Sequence, residues 1–542
     1  WSGWIKLCNL SDYQTFFSAG DYTTQGAVIQ YYNNTQIRLA FFSSGSYDGY
    51  YFSPNLFRDP SAWYHLVFSV DTTQAASANR ILMYVNGVAM TAGAYSAPAQ
   101  NYSGSVNNTV RHDIGSNFGA GALSNYASCY MTEVNFIDGQ ALTPSSFGET
   151  NAQTGVWQPK AYSGSYGTNG FYLNFSDNSN TTAATLGKDY SGNGNNWTPN
   201  NFSVTAGAGN DSLVDSPTSY GTDTGVGGTV RGNYATMNPL SQFGCTFANG
   251  NLDTTLTTTA SPQSESAVST LGVSSGKWYC EIVSTSGSGP FIGIADASLQ
   301  AAGRTFNSSS VWSYFPNGNK YNAGTGTSYG ATWTTNDVMG IALDMDAGTV
   351  TFYKNGASQG VAFSGLTGRS IVIWLSTGTG SVGAVLTFVS NFGQRPFVYT
   401  APSGFKALCT QNLPTPTIGA TTATLANTFF APALYTGNDG VNTVTTGIDM
   451  ATSGALVWIK NRSAAVGHFL VDPVRGYTKN LESNSTRADD TFSFITATSS
   501  SGFTMNTGSS AVNGGAAAGG PFAYVAWNWK ANGSGSTNTA GS

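Results

Sequence analysis

Apolar and polar residues alternate along much of this chain in short runs broken by Gly, Asn, Asp and Ser, and nowhere is the 3.6-residue period of a helix sustained. The clearest run is Asp337 to Gly356. It reads as a strand, a tight turn at Asp346-Ala347-Gly348, a second strand and a second turn at Asn355-Gly356. Asp-x-Gly and Asn-Gly accept the positive φ angles that hairpin turns require, and the residues between them are β-branched, aromatic or small and apolar. The design recurs early, where Trp63 to Asp71 is an apolar strand ending in Asp and Arg80 to Gly87 is a strand ending in Asn-Gly. Two distant copies of one unit predict separate β-sandwiches rather than one large fold.

Further strands are expected at residues 1–7, 27–30, 37–42, 129–136, 456–460, 492–495 and 522–529. The predicted fold class is all-β: tandem antiparallel β-sandwich (jelly-roll) domains joined by short linkers. With 542 residues there is chain for about three cores. We place a sandwich at 1–205, a linker at 206–230, a second sandwich at 231–412, a Pro-rich linker at 413–427, a small β domain at 428–531 and a flexible Gly/Ser tail at 532–542. Trp1 falls in what reads as mid-strand, so the true N-terminus is expected upstream.

Composition narrows the function. Only 9% of residues are charged, against the usual quarter or so, while Gly numbers 66 and aromatics reach 13%. Ser, Thr, Asn and Gly supply the polarity, which suits extracellular or particle-borne structure. A net charge of −6 offers no basic footprint, so no nucleic-acid partner is expected. No apolar run reaches a membrane span, so no membrane insertion is expected. Five scattered cysteines without a Cys-x-x-Cys pair read as buried free thiols.

In the first block, Arg58 to His65, Tyr84-Val85-Asn86-Gly87, His112-Asp113-Ile114-Gly115 and Tyr130 to Leu142 resemble the laminin G/concanavalin A-like jelly-roll family, in wording similar to structural proteins of tailed phages. Asp189 to Trp197 resembles a phrase common in such domains. In the second block, Gly276 to Ile282, Phe291 to Ala295, the Asp337–Gly356 hairpin, Gly360 to Phe363 and Asn391 to Phe397 resemble the SPRY (B30.2-like) β-sandwich. That likeness implies partner binding through loops at one end and no catalysis. The third block resembles modules that follow SPRY-like domains in the same phage proteins.

The concanavalin-type fold also hosts glycosidases, which need two facing carboxyl groups. Glu133, Glu149, Glu265, Glu281 and Glu482 show no alternating-acid pattern, and Asp344-Met345-Asp346 closes a hairpin. His65, His112 and His468 form no metal-ligand spacing. Gly-x-Ser-x-Gly at 272–276, 326–330 and 356–360 lacks the strand-to-helix context of a nucleophile elbow. No cofactor is expected; Ca²⁺ is the one ion the laminin G likeness raises, with Asp113, Asn117 and Asp138 as oxygen donors. Aromatic crowding at Trp312, Tyr314, Tyr321 and Trp333 reads either as core filling or as a sugar-stacking surface, and these four are the ligand-binding candidates. On the second reading, deleting 310–334 weakens host-surface binding and leaves the fold intact.

The sequence reading is therefore a non-enzymatic structural and binding protein of a tailed-phage virion, a fibre or spike located on the particle surface. Its expected partners are other virion proteins, a host-surface glycan and further copies of itself. A bacterial adhesin and a polysaccharide-degrading enzyme are the alternatives.

Overall fold

The computed structural model describes residues 1–10, 13–151, 155–217, 231–259, 265–287, 289–299, 305–378, 382–413 and 425–531. Every sheet pairing of three or more residues among them is antiparallel, and helical turns are short 3₁₀ segments. The protein is all-β. Two compact units form: Trp1–Glu149 with Trp157–Pro414, and Thr150–Val156 with Thr415–Ser542.

The larger unit holds two sandwiches. In the first, a six-stranded sheet centred on Ser2–Leu7 and Tyr64–Val70 faces a sheet centred on Gln14–Asp21, Gln25–Tyr32 and Gln36–Ser43. Ile5, Leu7, Leu66 and Phe68 of one meet Phe17, Ile29, Leu39 and Phe41 of the other. The repeated hairpin forms as expected, Tyr64–Val70 pairing with Ile81–Val85, and Asn86 and Gly87 adopt φ of 47° and 81°.

In the second sandwich, Val338–Asp344 pairs with Thr349–Lys354, and Asn355 and Gly356 turn the chain at φ of 49° and 79°. Met339, Ile341 and Leu343 face the core. Gly340 and Ala342 lie on the other side because a strap, residues 397–405, crosses there beside Tyr279. Buried Glu281 holds that strap, its two carboxylate oxygens accepting the N–H groups of Val398 and Tyr399 at 2.7 and 2.8 Å.

The stretch expected as a linker at 206–230 is, in its described part, packed structure. Val214 N–H donates to Gln394 O, Asp215 bridges Gly232, and Asp215 and Ser216 are buried. The remainder of that stretch, most of the 413–427 linker and the 532–542 tail lie outside the described residues. In the smaller unit, the six-stranded sheet Phe430–Thr436, Ala523–Lys530, Ala455–Asn461, Phe469–Val471, Lys479–Glu482 and Asp490–Thr491 packs over a three-stranded sheet. The strand expected at 492–495 is instead the connection between Asp490–Thr491 and Ile495–Ser499, where Phe492 and Phe494 turn into the core.

Candidate functional site

Asp189 organises the loop that matters most. Its Oδ1 accepts the N–H groups of Tyr172 and Ser191, each at 2.8 Å, and its Oδ2 accepts Ser191 Oγ at 2.8 Å and Asn195 N–H at 2.9 Å. Gly192 and Gly194, at φ of 94° and 77°, make the turn these bonds require. The loop thereby brings Asn195, Asn196 and Trp197 to one end of the first sandwich. This is the physical content of the Asp189–Trp197 phrase, to which no site had been assigned from sequence.

There Asn195, Asn196 and Trp197 meet Asn107, Asn108, Thr109, His112 and Asn169 around a cleft of about 390 Å³. Its floor is the stacked trio Phe17, Phe136 and Phe171, with ring centroids 5.7 and 5.5 Å apart. Trp197 stands edge-on to Phe171 at 4.9 Å. His112 Nδ1 lies 2.8 Å from the Val110 carbonyl, so this nitrogen carries the proton and Nε2 is an acceptor in the neutral ring. No charged side chain lines the cleft. The Phe trio is core beneath the cleft, 3%, 8% and 4% exposed, so half-buried Trp197 and the amide rim are what a neutral, hydroxyl-rich ligand would meet.

A second hollow of about 550 Å³ adjoins it, sharing Phe17, Asn107 and Phe136. Its depth is apolar, formed by Ala27, Ile29, Leu39 and Phe41, with polar residues such as Thr73 and Gln140 at the mouth.

The aromatic candidates from sequence are placed elsewhere. Trp312, Tyr314 and Trp333 are 7%, 0% and 2% exposed and belong to the core of the second sandwich. Tyr321 is half-buried against Phe291 and Phe315. No open ring face remains on the three buried side chains, so core filling is their role and sugar stacking is not. Residues 311–328 supply three strands of the seven-stranded sheet, which also overturns the expectation that 310–334 is a dispensable loop.

The calcium candidates do not share partners. Arg111 holds Asp113 through two oxygens at 2.8 to 2.9 Å, Ser124 Oγ donates to Asn117 Oδ1 at 3.0 Å, and Asp138 accepts Asn107 Nδ2 and Asn169 N–H. Among the described residues, no three His, Cys, Asp or Glu side chains are grouped to hold a metal.

Asp344 accepts the N–H groups of Asp346 and Ala347 in its own turn and pairs with Lys277 at 2.9 Å. Ser2 and His65 form a hydrogen bond at 2.8 Å, a geometry that suggests a nucleophile and base. Trp157 Nε1–H donates to His65 Nδ1 at 2.9 Å, however, so the proton sits on Nε2 and points at Ser2 Oγ. His65 therefore cannot accept the serine proton. Both side chains are fully buried, and burial pushes the imidazole down to about 3.

Three separate stretches of the chain match known families. Residues 1–148 match the family described as the Concanavalin A-like lectin/glucanases superfamily. Residues 277–389 match the SPRY domain. Residues 426–542 match a domain of unknown function, DUF7483. Ran-binding protein 10 of Danio rerio and Ran-binding protein 9 of Homo sapiens are each 39% identical over 77 residues, 14% of this chain and 12% and 10% of theirs. The chain thus spans about a tenth of the length of these relatives. The SPRY domain of human HERC1 is 23% identical, covering 28% of this chain and 96% of that one, with a TM-score of 0.25. The lectin-like and SPRY modules expected from sequence are present.

Proposed function

We propose that this chain is a non-enzymatic binding protein whose first sandwich takes a neutral glycan in the asparagine-ringed cleft. The observation that carries the reading is the cleft itself: five Asn side chains, of which Asn107 and Asn195 are braced by Asp138 and by the Thr168 and Gly170 carbonyls, stand with His112 Nε2 and half-buried Trp197 around a lining that holds no charged side chain. Sugar rings present an apolar C–H face to half-buried Trp197 and hydroxyls to the amide N–H groups of Asn108, Asn169 and Asn196. The catalytic reading is set aside because the Ser2–His65 pair is oriented the wrong way and Asp344 caps its own turn.

The setting we propose is the surface of a tailed-phage particle, where several copies would bind a host glycan together and weak single sites would suffice. Low charge and dense turns support that setting, as does the sequence resemblance. A bacterial surface adhesin is the competing setting.

Calorimetric titration of the chain with neutral glucan, mannan and galactan oligosaccharides tests the function. Binding by at least one class, lost in His112→Ala/Asn169→Ala with unchanged thermal stability, is the expected result. Binding that survives this double substitution removes the cleft, and release of reducing ends removes the non-enzymatic reading. Immunogold microscopy on a phage lysate separates particle from cell surface.

A further inference from the structure

Side chains alternate across the strand Ser2–Leu7: Ile5 and Leu7 enter the core of the first sandwich, and Lys6 points from the opposite face. That face is closed. Lys6 is 1% exposed, and the Trp63 and Tyr130 ring centroids lie 5.6 and 4.5 Å from its Nζ. Two side chains from far along the chain reach the same nitrogen inside this enclosure. Asp215 Oδ2 lies 2.5 Å from Nζ, and Asn233 Oδ1 lies 3.0 Å from it. The Asn233 carboxamide is fixed with its carbonyl toward Lys6, because its Nδ2 donates to Ser61 O at 2.7 Å and its backbone N–H to Thr410 Oγ1 at 3.1 Å. An ion pair needs only an amine and a carboxylate. Here the amine also touches an amide carbonyl, with a proton acceptor beside it and bulk water kept away.

We infer that Lys6 and Asn233 join in an intramolecular isopeptide bond, with Asp215 carrying the proton. Asp215 takes one proton from the Lys6 ammonium across their direct contact, which leaves a neutral amine and a neutral carboxylic acid. Burial favours that exchange, since it removes two charges from an apolar enclosure, and it pushes the Asp215 carboxyl above its ordinary value. The freed lone pair of Nζ swings from Oδ1 to the carbonyl carbon of Asn233 and forms the new C–N bond. Holding the two groups in contact replaces the encounter that would otherwise make this reaction slow. As the C–Nδ2 bond breaks, its electron pair leaves with nitrogen and Asp215 returns the proton to it, so ammonia departs. The new amide nitrogen gives its surplus proton to Asp215, and ammonia carries that proton away. An ammonium and a carboxamide thus become a secondary amide and an ammonium ion, the carboxylate is restored, and no oxidant or cofactor enters.

The bond ties a central strand of the first sandwich to the start of the second, 227 positions along the chain. Like a disulfide it restricts the unfolded chain, and all five cysteines are free, so no disulfide duplicates it.

Intact-mass spectrometry of the folded 542-residue chain, denatured for the measurement, tests the inference. The expected mass lies below the sequence mass by one ammonia, and proteolysis yields a branched peptide joining Lys6 to Asn233. Lys6→Arg and Asn233→Ala should each restore the full mass of their own sequence, and Asp215→Asn should abolish the loss or slow it at least tenfold. A wild-type chain at its full sequence mass overturns the inference whether or not any variant folds. Loss of ammonia that survives in Asn233→Ala also overturns it, since another asparagine would then be the source. Loss of one water with the branch at Asp215 overturns it as well.

Discussion

Lys6 Nζ lies 2.5 Å from Asp215 Oδ2 with both side chains sealed from solvent, although 209 residues separate them in sequence. Lys6 comes from Ser2–Leu7, a central strand of the first sandwich, and Asp215 from the packed segment ahead of the second. Trp63 Nε1–H donates to the other Asp215 oxygen at 3.1 Å, Asn233 Oδ1 accepts from Lys6 at 3.0 Å, and the Tyr130 ring lies 4.5 Å from the ammonium. Asn251 Nδ2 donating to Cys8 O and Tyr130 donating to Gly250 O extend the same seam. Two sandwiches consequently behave as one unit.

Removing one charge should expose what the pair does. Asp215→Asn leaves a buried ammonium without its counter-ion and is expected to lower stability by about 3–5 kcal/mol. Lys6→Met/Asp215→Leu should lose less, since neither charge is left stranded. Denaturant melts of the three chains decide; equal losses in the single and double variants would mean the pair is not the source.

Acid should destabilise the protein through His65. In the folded chain its imidazole stays neutral down to about 3, whereas an exposed histidine takes a proton near 6.5. Between those values the unfolded state binds more protons, so stability falls as pH falls. For His65→Phe the drop between neutral pH and about pH 4 should be smaller by about 3 kcal/mol, at roughly 1.4 kcal/mol per unit. Parallel pH profiles for the two chains would contradict this.

Asp189→Ala should disable the cleft while sparing the second sandwich. Four donors lose their acceptor, a cost of about 1–3 kcal/mol for each that remains buried and unpaired. Glycan titration should show binding reduced at least tenfold, with the hydrogen-exchange protection of Val338–Asp344 unchanged.

Trp333→Ala should cost about 3–5 kcal/mol, because a large side chain leaves a cavity in a filled core. Deleting 310–334 should yield insoluble protein. A folded deletion variant with normal thermal stability would return those residues to the status of a loop.

Turn chemistry made the hairpins legible. Asn86-Gly87 and Asn355-Gly356 tolerate positive φ, and alternation around them named the strands to within a residue or two. Cys129–Phe136 was placed to the residue. Phe492 to Ile495 misled because apolar content alone does not say whether a segment pairs or plugs a core. Trp312, Tyr314 and Trp333 misled for a related reason: composition reports how many rings are near, and only packing reports whether a ring face is open.

The sequence by itself determined an all-β chain of tandem sandwiches, since turn residues and period-two alternation act over a few neighbours and survive without any tertiary knowledge; resemblance to known families, not periodicity, gave the lectin-like and SPRY character. Tertiary structure alone decided that Asp215 belongs beside Lys6, that the amides of Asn107, Asn169 and Asn195 share one cleft, and that Ser2 and His65 touch with the proton on the wrong nitrogen. Each of those depends on residues tens to hundreds of positions apart being brought together by sheet order, and local pattern carries no trace of that order.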